Sequence, residues 1–165
     1  MSRLEKVIKR ALGELENTPG LSLRDVARKF IVSEGDILEA LKSEGVHKVR
    51  RDQREQLLDE LCTWGFGRLH VHNDWAESEV TCVLGDLRRV GEFLILQMAD
   101  TLIRIEYSKV ETVYLVEGHP RPSVQFFNKR GRCVFQVVLD PSPASFDRLR
   151  KAREAFCPAR EVRTL

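Results

Sequence analysis

The chain has 165 residues, 42% hydrophobic and 32% charged, enough apolar material for a core and too much for the disordered class, in which low hydrophobicity accompanies high net charge. Its 27 Lys and Arg against 25 Asp and Glu leave a net charge of +2, so no overall field draws it to nucleic acid. The longest apolar run, Phe93-Leu94-Ile95-Leu96, is far below the ~20 residues that span a bilayer.

Helical periodicity comes first. Leu4, Val7, Ile8, Ala11, Leu12 and Leu15 recur at three- and four-residue spacing, which predicts an amphipathic helix. The breaker cluster Asn17-Thr18-Pro19-Gly20 ends it. Ser22-Leu23-Arg24-Asp25 and Ser33-Glu34-Gly35-Asp36 then have the form of capping boxes, opening short helices that turn Val26, Ala27 and Phe30, then Ile37, Leu38 and Leu41, inward. Gly45 closes the third helix, and a fourth buries Leu57, Leu58, Leu61 and Cys62.

Beyond Trp64 the period falls to two. Leu69/Val71, Val80/Cys82/Leu84, Ile103/Ile105/Tyr107 and Val113/Leu115 alternate with polar residues, as half-buried strands do. Apolar strands flank Asn128-Lys129-Arg130-Gly131, a hairpin signal. After Pro141-Ser142-Pro143, Ser145 is the expected cap of a last helix that buries Phe146, Leu149, Ala152 and Phe156. The expected fold is α+β: a small N-terminal helical subdomain, residues 1–50, then a mainly antiparallel β-sheet body, residues 51–165, with a C-terminal helix.

Cys62, Cys82, Cys133 and Cys157 form no CxxC pair, and the N-terminus lacks the apolar core of a secretory signal. Free thiols and a cytoplasmic location are expected. There is no GxSxG, P-loop, HExxH or GxGxxG, and the expectation is that the chain is not an enzyme. His70 and His72 share one side of a strand, where they are either polar surface or metal ligands, with Asp74 and Glu77 the nearby carboxylates. Tyr107, Tyr114, Cys82 and Cys157 have side-chain types that can reach a haem iron. Residues 23–41 suit a helix-turn-helix, but a recognition helix beginning Glu34-Gly35-Asp36 would set carboxylates against phosphates.

Several elements occur together: a helix ending Cys62-x-Trp64-Gly65, His72 eight residues after that tryptophan, a turn with Gly85, and Val124-Gln125-Phe126-Phe127-Asn128-Lys129-Arg130-Gly131. In order and spacing they resemble the ChuX/HutX-type cytoplasmic haem-utilisation carrier proteins, from about residue 57 to 156 and more loosely through the helical front. The resemblance implies a homodimer that carries haem as cargo at the sheet surface, without reaction, with a haem importer or haem-degrading enzyme as partner. It places a haem-associated histidine at His72. The family's second histidine falls at Ile103 or Arg104, so the iron would have one protein ligand, recruit Tyr107 or Tyr114, or meet water. Arg104, with Arg88, Arg89 or Lys109, would face the propionates. The alternatives are a DNA-binding or protein-interaction module and an accessory to haem degradation; neither nucleic acid nor membrane insertion is expected.

Overall fold

A computed structural model describes residues 1–41, 45–118 and 121–159. Three helices, α1 (Arg3–Asn17), α2 (Leu23–Phe30) and α3 (Glu34–Ala40), form the N-terminal part. Each begins with a capping box, Ser2 with Glu5, Ser22 with Asp25 and Ser33 with Asp36, so exposed backbone donors at each helix start are satisfied locally. The helices bury Ala11, Val26, Ala27 and Ile37 between them.

The body follows as β1 (Val46–Lys48), α4 (Arg54–Leu61), β2 (Phe66–His72), β3 (Glu77–Val83), β4 (Leu87–Val90), β5 (Phe93–Met98), β6 (Thr101–Glu106), β7 (Thr112–Val116), β8 (Ser123–Phe127), β9 (Cys133–Val138) and α5 (Pro143–Phe156). Among the described residues, one antiparallel sheet runs β1-β7-β8-β9-β2-β3 and a smaller one runs β4-β5-β6. The α+β class and the hairpin around Asn128 are as the sequence predicts. Val46–Lys48, on the N-terminal side of the expected boundary at residue 50, pairs with β7 as an edge strand of the large sheet.

The large sheet has two unlike faces. Leu69, Val124, Phe126, Phe135 and Val137 point into the main core, which they share with Leu57 and Leu61 of α4, Leu149 of α5, and Leu94, Leu96 and Ile105 of the small sheet. Phe126 and Phe135 stack with ring centroids 4.1 Å apart at the centre of this core. Because side chains alternate along a strand, Arg68, His70 and His72 of β2 emerge on the opposite face. There Tyr114, Val116 and Phe127 pack under Leu38 of α3, which seats the helical part on the sheet.

Two expectations for the last helix are corrected. Phe146, expected to be buried, is 42% exposed. Ser142, not Ser145, caps α5, accepting a hydrogen bond from the Ser145 backbone N–H at 3.2 Å. Pro143 decides this, since proline suits the first helical position, where its missing N–H costs nothing and its fixed φ is already helical.

Candidate functional site

The helical part meets the body where the start of α3 touches the β8–β9 hairpin. Gly35 donates its N–H to the Gly131 carbonyl at 3.0 Å. A Cβ on Gly35 would lie 3.0 Å from the Gly131 Cα, and Gly131, at φ +72°, would set its own Cβ against Ser33. Two glycines are therefore needed for the backbones to come this close.

The close approach brings Glu34 to His72. The imidazole Nε2 lies 2.9 Å from the carboxylate Oε1, with the two side chains only 7% and 13% exposed. A carboxylate only accepts, so Nε2 carries a proton donated to Glu34. Nδ1 is buried and has no hydrogen-bond partner among the described residues. The Sγ of Cys133 completes a cluster in which one donor atom from each of Glu34, His72 and Cys133 lies within 4.8 Å of the others. Burial, reinforced by the Glu34 charge, holds the Cys133 thiol well above the ordinary range. That thiol is turned inward although the residue as a whole is only partly covered.

His70 is engaged differently. Its Nδ1 lies 2.6 Å from the Gln136 amide nitrogen and its Nε2 lies 3.3 Å from Glu77. With the amide donating to Nδ1, the ring proton sits on Nε2 toward Glu77, so both nitrogens are occupied. His70 borders a cleft of about 420 Å³ that also holds Glu79 and Arg121. Glu79 accepts from Arg121 at 2.8 Å and from Arg68 at 3.3 Å, and the Arg121 bond leads in holding its carboxyl below the usual range.

His72 opens instead onto a cleft of about 660 Å³ between the α2–α3 turn, the β2–β3 connection and the β8–β9 hairpin. Ile31 and Trp75 line it and are 92% and 90% exposed. Trp75 is presented by a turn in which Asn73 Oδ1 accepts the backbone N–H groups of Trp75 and Ala76. Ile31 caps α2 in the left-handed region, at φ 55°, a costly conformation for a β-branched residue. Four arginines border the same cleft. Arg24 donates to the Asn73 carbonyl and Arg132 faces Asp74 at 3.2 Å; Arg28 and Arg130 make no ion pair among the described residues.

The residues expected from sequence do not converge. Tyr114 shares the sheet face of His72 but lies under α3, its hydroxyl donating to Glu39; burial first, then that bond, raises its pKa. Tyr107 is in the main core on the other side of the sheet, with the Arg89 guanidinium 4.3 Å over its ring. Its hydroxyl is buried without a partner among the described residues, and burial pushes it up to about 12. Arg104 is on the outer side of the small sheet, its guanidinium 3.8 Å over the Phe93 ring. Sequence reading missed Glu34, Cys133 and the arginine rim, for no local pattern ties residue 34 to residue 72.

Among the described residues, no helix is long and apolar enough to cross a membrane. No curated protein matches the chain. Among solved structures, the haem-binding protein ChuX is 18% identical with TM-score 0.71, over 90% of this chain and 97% of ChuX. Holo-PhuS, a haem-binding protein from Pseudomonas aeruginosa, is 21% identical with TM-score 0.76, over 96% of this chain and 47% of PhuS. The haem-degrading enzyme ChuS of Escherichia coli O157:H7 is 20% identical with TM-score 0.77, over 94% of this chain and 47% of ChuS. The chain thus spans about half the length of PhuS and ChuS and nearly all of ChuX, and these likenesses establish a shared fold. The profile described as the Haemin-degrading HemS.ChuX domain matches residues 31–153, and the chain belongs to that family.

Proposed function

We propose that this chain is a non-enzymatic haem carrier of the cytoplasm, holding its cargo in the cleft at His72. The observation that carries this is the imidazole itself. A metal-ligating histidine characteristically donates its second ring N–H to a carboxylate, and His72 has Nε2 on Glu34 with the Nδ1 lone pair unclaimed. The surroundings suit a porphyrin: Ile31 and Trp75 offer apolar surface, and Arg28 and Arg130 offer charge for propionates. A cleft of about 660 Å³ lies within the usual range of small-molecule sites, about 300–1,000 Å³. Because Nδ1 is enclosed, ligation includes a local opening whose cost loosens the grip on the cargo, as a carrier that must release it requires.

A pair of chains is the expected working form. Val90, Phe93, Ile95 and Leu102 share the outer side of the small sheet by its register, and Val90 and Leu102 are 55% and 66% exposed. A second copy would cover this patch. Light scattering on purified protein tests it, with a mass of one chain at micromolar concentration the refuting result.

Hemin titration of the apo-protein, followed by the Soret band, tests the main reading. Saturation at one equivalent per chain is expected, with a weaker and spectrally altered complex for His72→Ala; no saturable shift sinks the reading. Adding ascorbate and oxygen to the complex separates a carrier from the degradation named for ChuS. Loss of the Soret band with growth of bilin absorption would overturn the non-enzymatic part.

A further inference from the structure

We propose that Glu34, His72 and Cys133 form a binding site for a thiophilic divalent cation of the zinc type, with a fourth position left to water. The site goes beyond haem carriage and does not depend on it. One donor atom from each residue already lies within 4.8 Å of the other two. Tetrahedral zinc, with bonds of about 2.0–2.3 Å, holds its ligands roughly 3.4–3.6 Å apart, so side-chain adjustments of about 1 Å close the site around an ion. The donor set of one nitrogen, one carboxylate oxygen and one thiolate sulfur favours zinc or cobalt over magnesium or calcium, which select oxygen alone.

Two independent features point to a ligand here. First, His72 is more than nine-tenths buried and its Nδ1 has no partner among the described residues, so nothing fixes the ring tautomer there, and the ring proton can sit on Nδ1 while the Nε2 lone pair turns to an ion shared with Glu34. Second, the sheet departs from its regular register to supply the sulfur. Cys133 and Phe135 have the same parity along β9, and strict alternation would send both into the main core. A register shift between Phe126 and Phe127 on β8 breaks that alternation. Phe135 stays in the main core while Cys133 packs on the opposite face, beside Phe127 and toward His72. Irregularities of this kind re-aim a side chain at functional sites.

Binding exchanges protons for metal. The Cys133 S–H bond breaks, its proton passes to solvent, and the sulfur lone pair forms the metal bond. The Nε2 proton of His72 leaves to solvent and one is taken up at Nδ1, so the imidazole stays neutral while the Nε2 lone pair and the Glu34 carboxylate bond the ion directly; only the Cys133 proton is released in all, and no oxidant or reductant is needed.

The experiment is titration of the full, chelator-treated chain with cobalt(II) and then zinc(II). One equivalent of cobalt should produce four-coordinate visible bands and a near-ultraviolet thiolate-to-cobalt absorption, both abolished by zinc. Cys133→Ser should remove the charge-transfer band and weaken zinc binding about 100-fold, and Glu34→Gln should weaken it at least about tenfold. Circular dichroism confirms that each variant is folded. A six-coordinate cobalt spectrum, or unchanged zinc affinity in folded Cys133→Ser, overturns the proposal. Failure of the parent chain to bind hemin while it binds zinc refutes only the haem reading.

Discussion

Replacing Gly35 by alanine tests whether the contact between α3 and the β8–β9 hairpin positions the site. Its Cβ would meet the Gly131 Cα at 3.0 Å, the carbonyl oxygen at 3.1 Å and the carbonyl carbon at 3.4 Å. All three are backbone atoms that cannot rotate away, so α3 must retreat by about 0.5 Å to restore ordinary contact. The retreat strains the 3.0 Å Gly35–Gly131 hydrogen bond and lengthens the 2.9 Å Glu34–His72 contact. Overpacking of this kind costs about 1–3 kcal/mol, whereas alanine for glycine within a helix returns about 1 kcal/mol; the net is a loss of about 0–2 kcal/mol. Gly13 in α1 is the control, since a Cβ there would meet nothing within 4 Å among the described residues. Gly13→Ala should therefore gain about 1 kcal/mol. At about 2–4 °C per kcal/mol for a chain of this size, Tm rises by that amount for Gly13→Ala and stays level or falls for Gly35→Ala. Equal rises in the two variants, measured by thermal circular dichroism, would refute the steric argument and the seam built on it.

Tyr107→Phe should leave stability unchanged or raise it by up to about 1 kcal/mol, because it deletes a buried hydroxyl that has no partner among the described residues. It should also alter the alkaline limb. With the hydroxyl raised from 10.0 to about 12 by burial, the folded state keeps a proton that the unfolded state loses. The parent is therefore fully stabilised below pH 10 and loses about 3 kcal/mol between pH 10 and 12; urea melts across that window should show a shallower decline in the variant. Ile31→Gly should relieve the left-handed backbone and stabilise by about 1 kcal/mol while weakening hemin affinity, and unchanged hemin affinity would remove Ile31 from the site. The double change Arg28→Ala and Arg130→Ala should weaken hemin binding about tenfold or more at low salt, with the gap narrowing as salt rises, and should move Tm little because neither side chain is in an ion pair among the described residues.

The helical front was legible because its signals are local. Ser22 and Ser33 each accept a bond from a residue three positions on, a relation visible in any four-residue window. The alternation of Leu69 and Val71 with His70 and His72 likewise showed which residues share a face of β2. The partition of strands into two sheets was not legible. The run Phe93-Leu94-Ile95-Leu96 reads as apolar throughout, yet Leu94 and Leu96 enter the core while Phe93 and Ile95 face outward. Three residues of β1 are too few to show a period of their own, and their place is set by pairing with β7 about 70 residues downstream.

At the site, legibility failed wherever a contact depended on tertiary register. Glu34 is readable as the acidic start of a helix, and on that basis it argues against phosphate binding. Its role beside His72 exists only because Gly35 and Gly131 let α3 close on the hairpin. Cys133 was hidden for a related reason, since its parity assigns it to the core and one shifted register moves it to the other face. The segment Phe126-Phe127-Asn128-Lys129-Arg130-Gly131 therefore has more than one task. Phe126 stays in the main core, the shift after it redirects Cys133, Arg130 joins the cleft rim, and Gly131 admits Ser33 and Gly35. A substitution at Gly131 should consequently disturb the His72 cluster as well as the hairpin, although Gly131 is not among the three residues that supply the cluster's donor atoms.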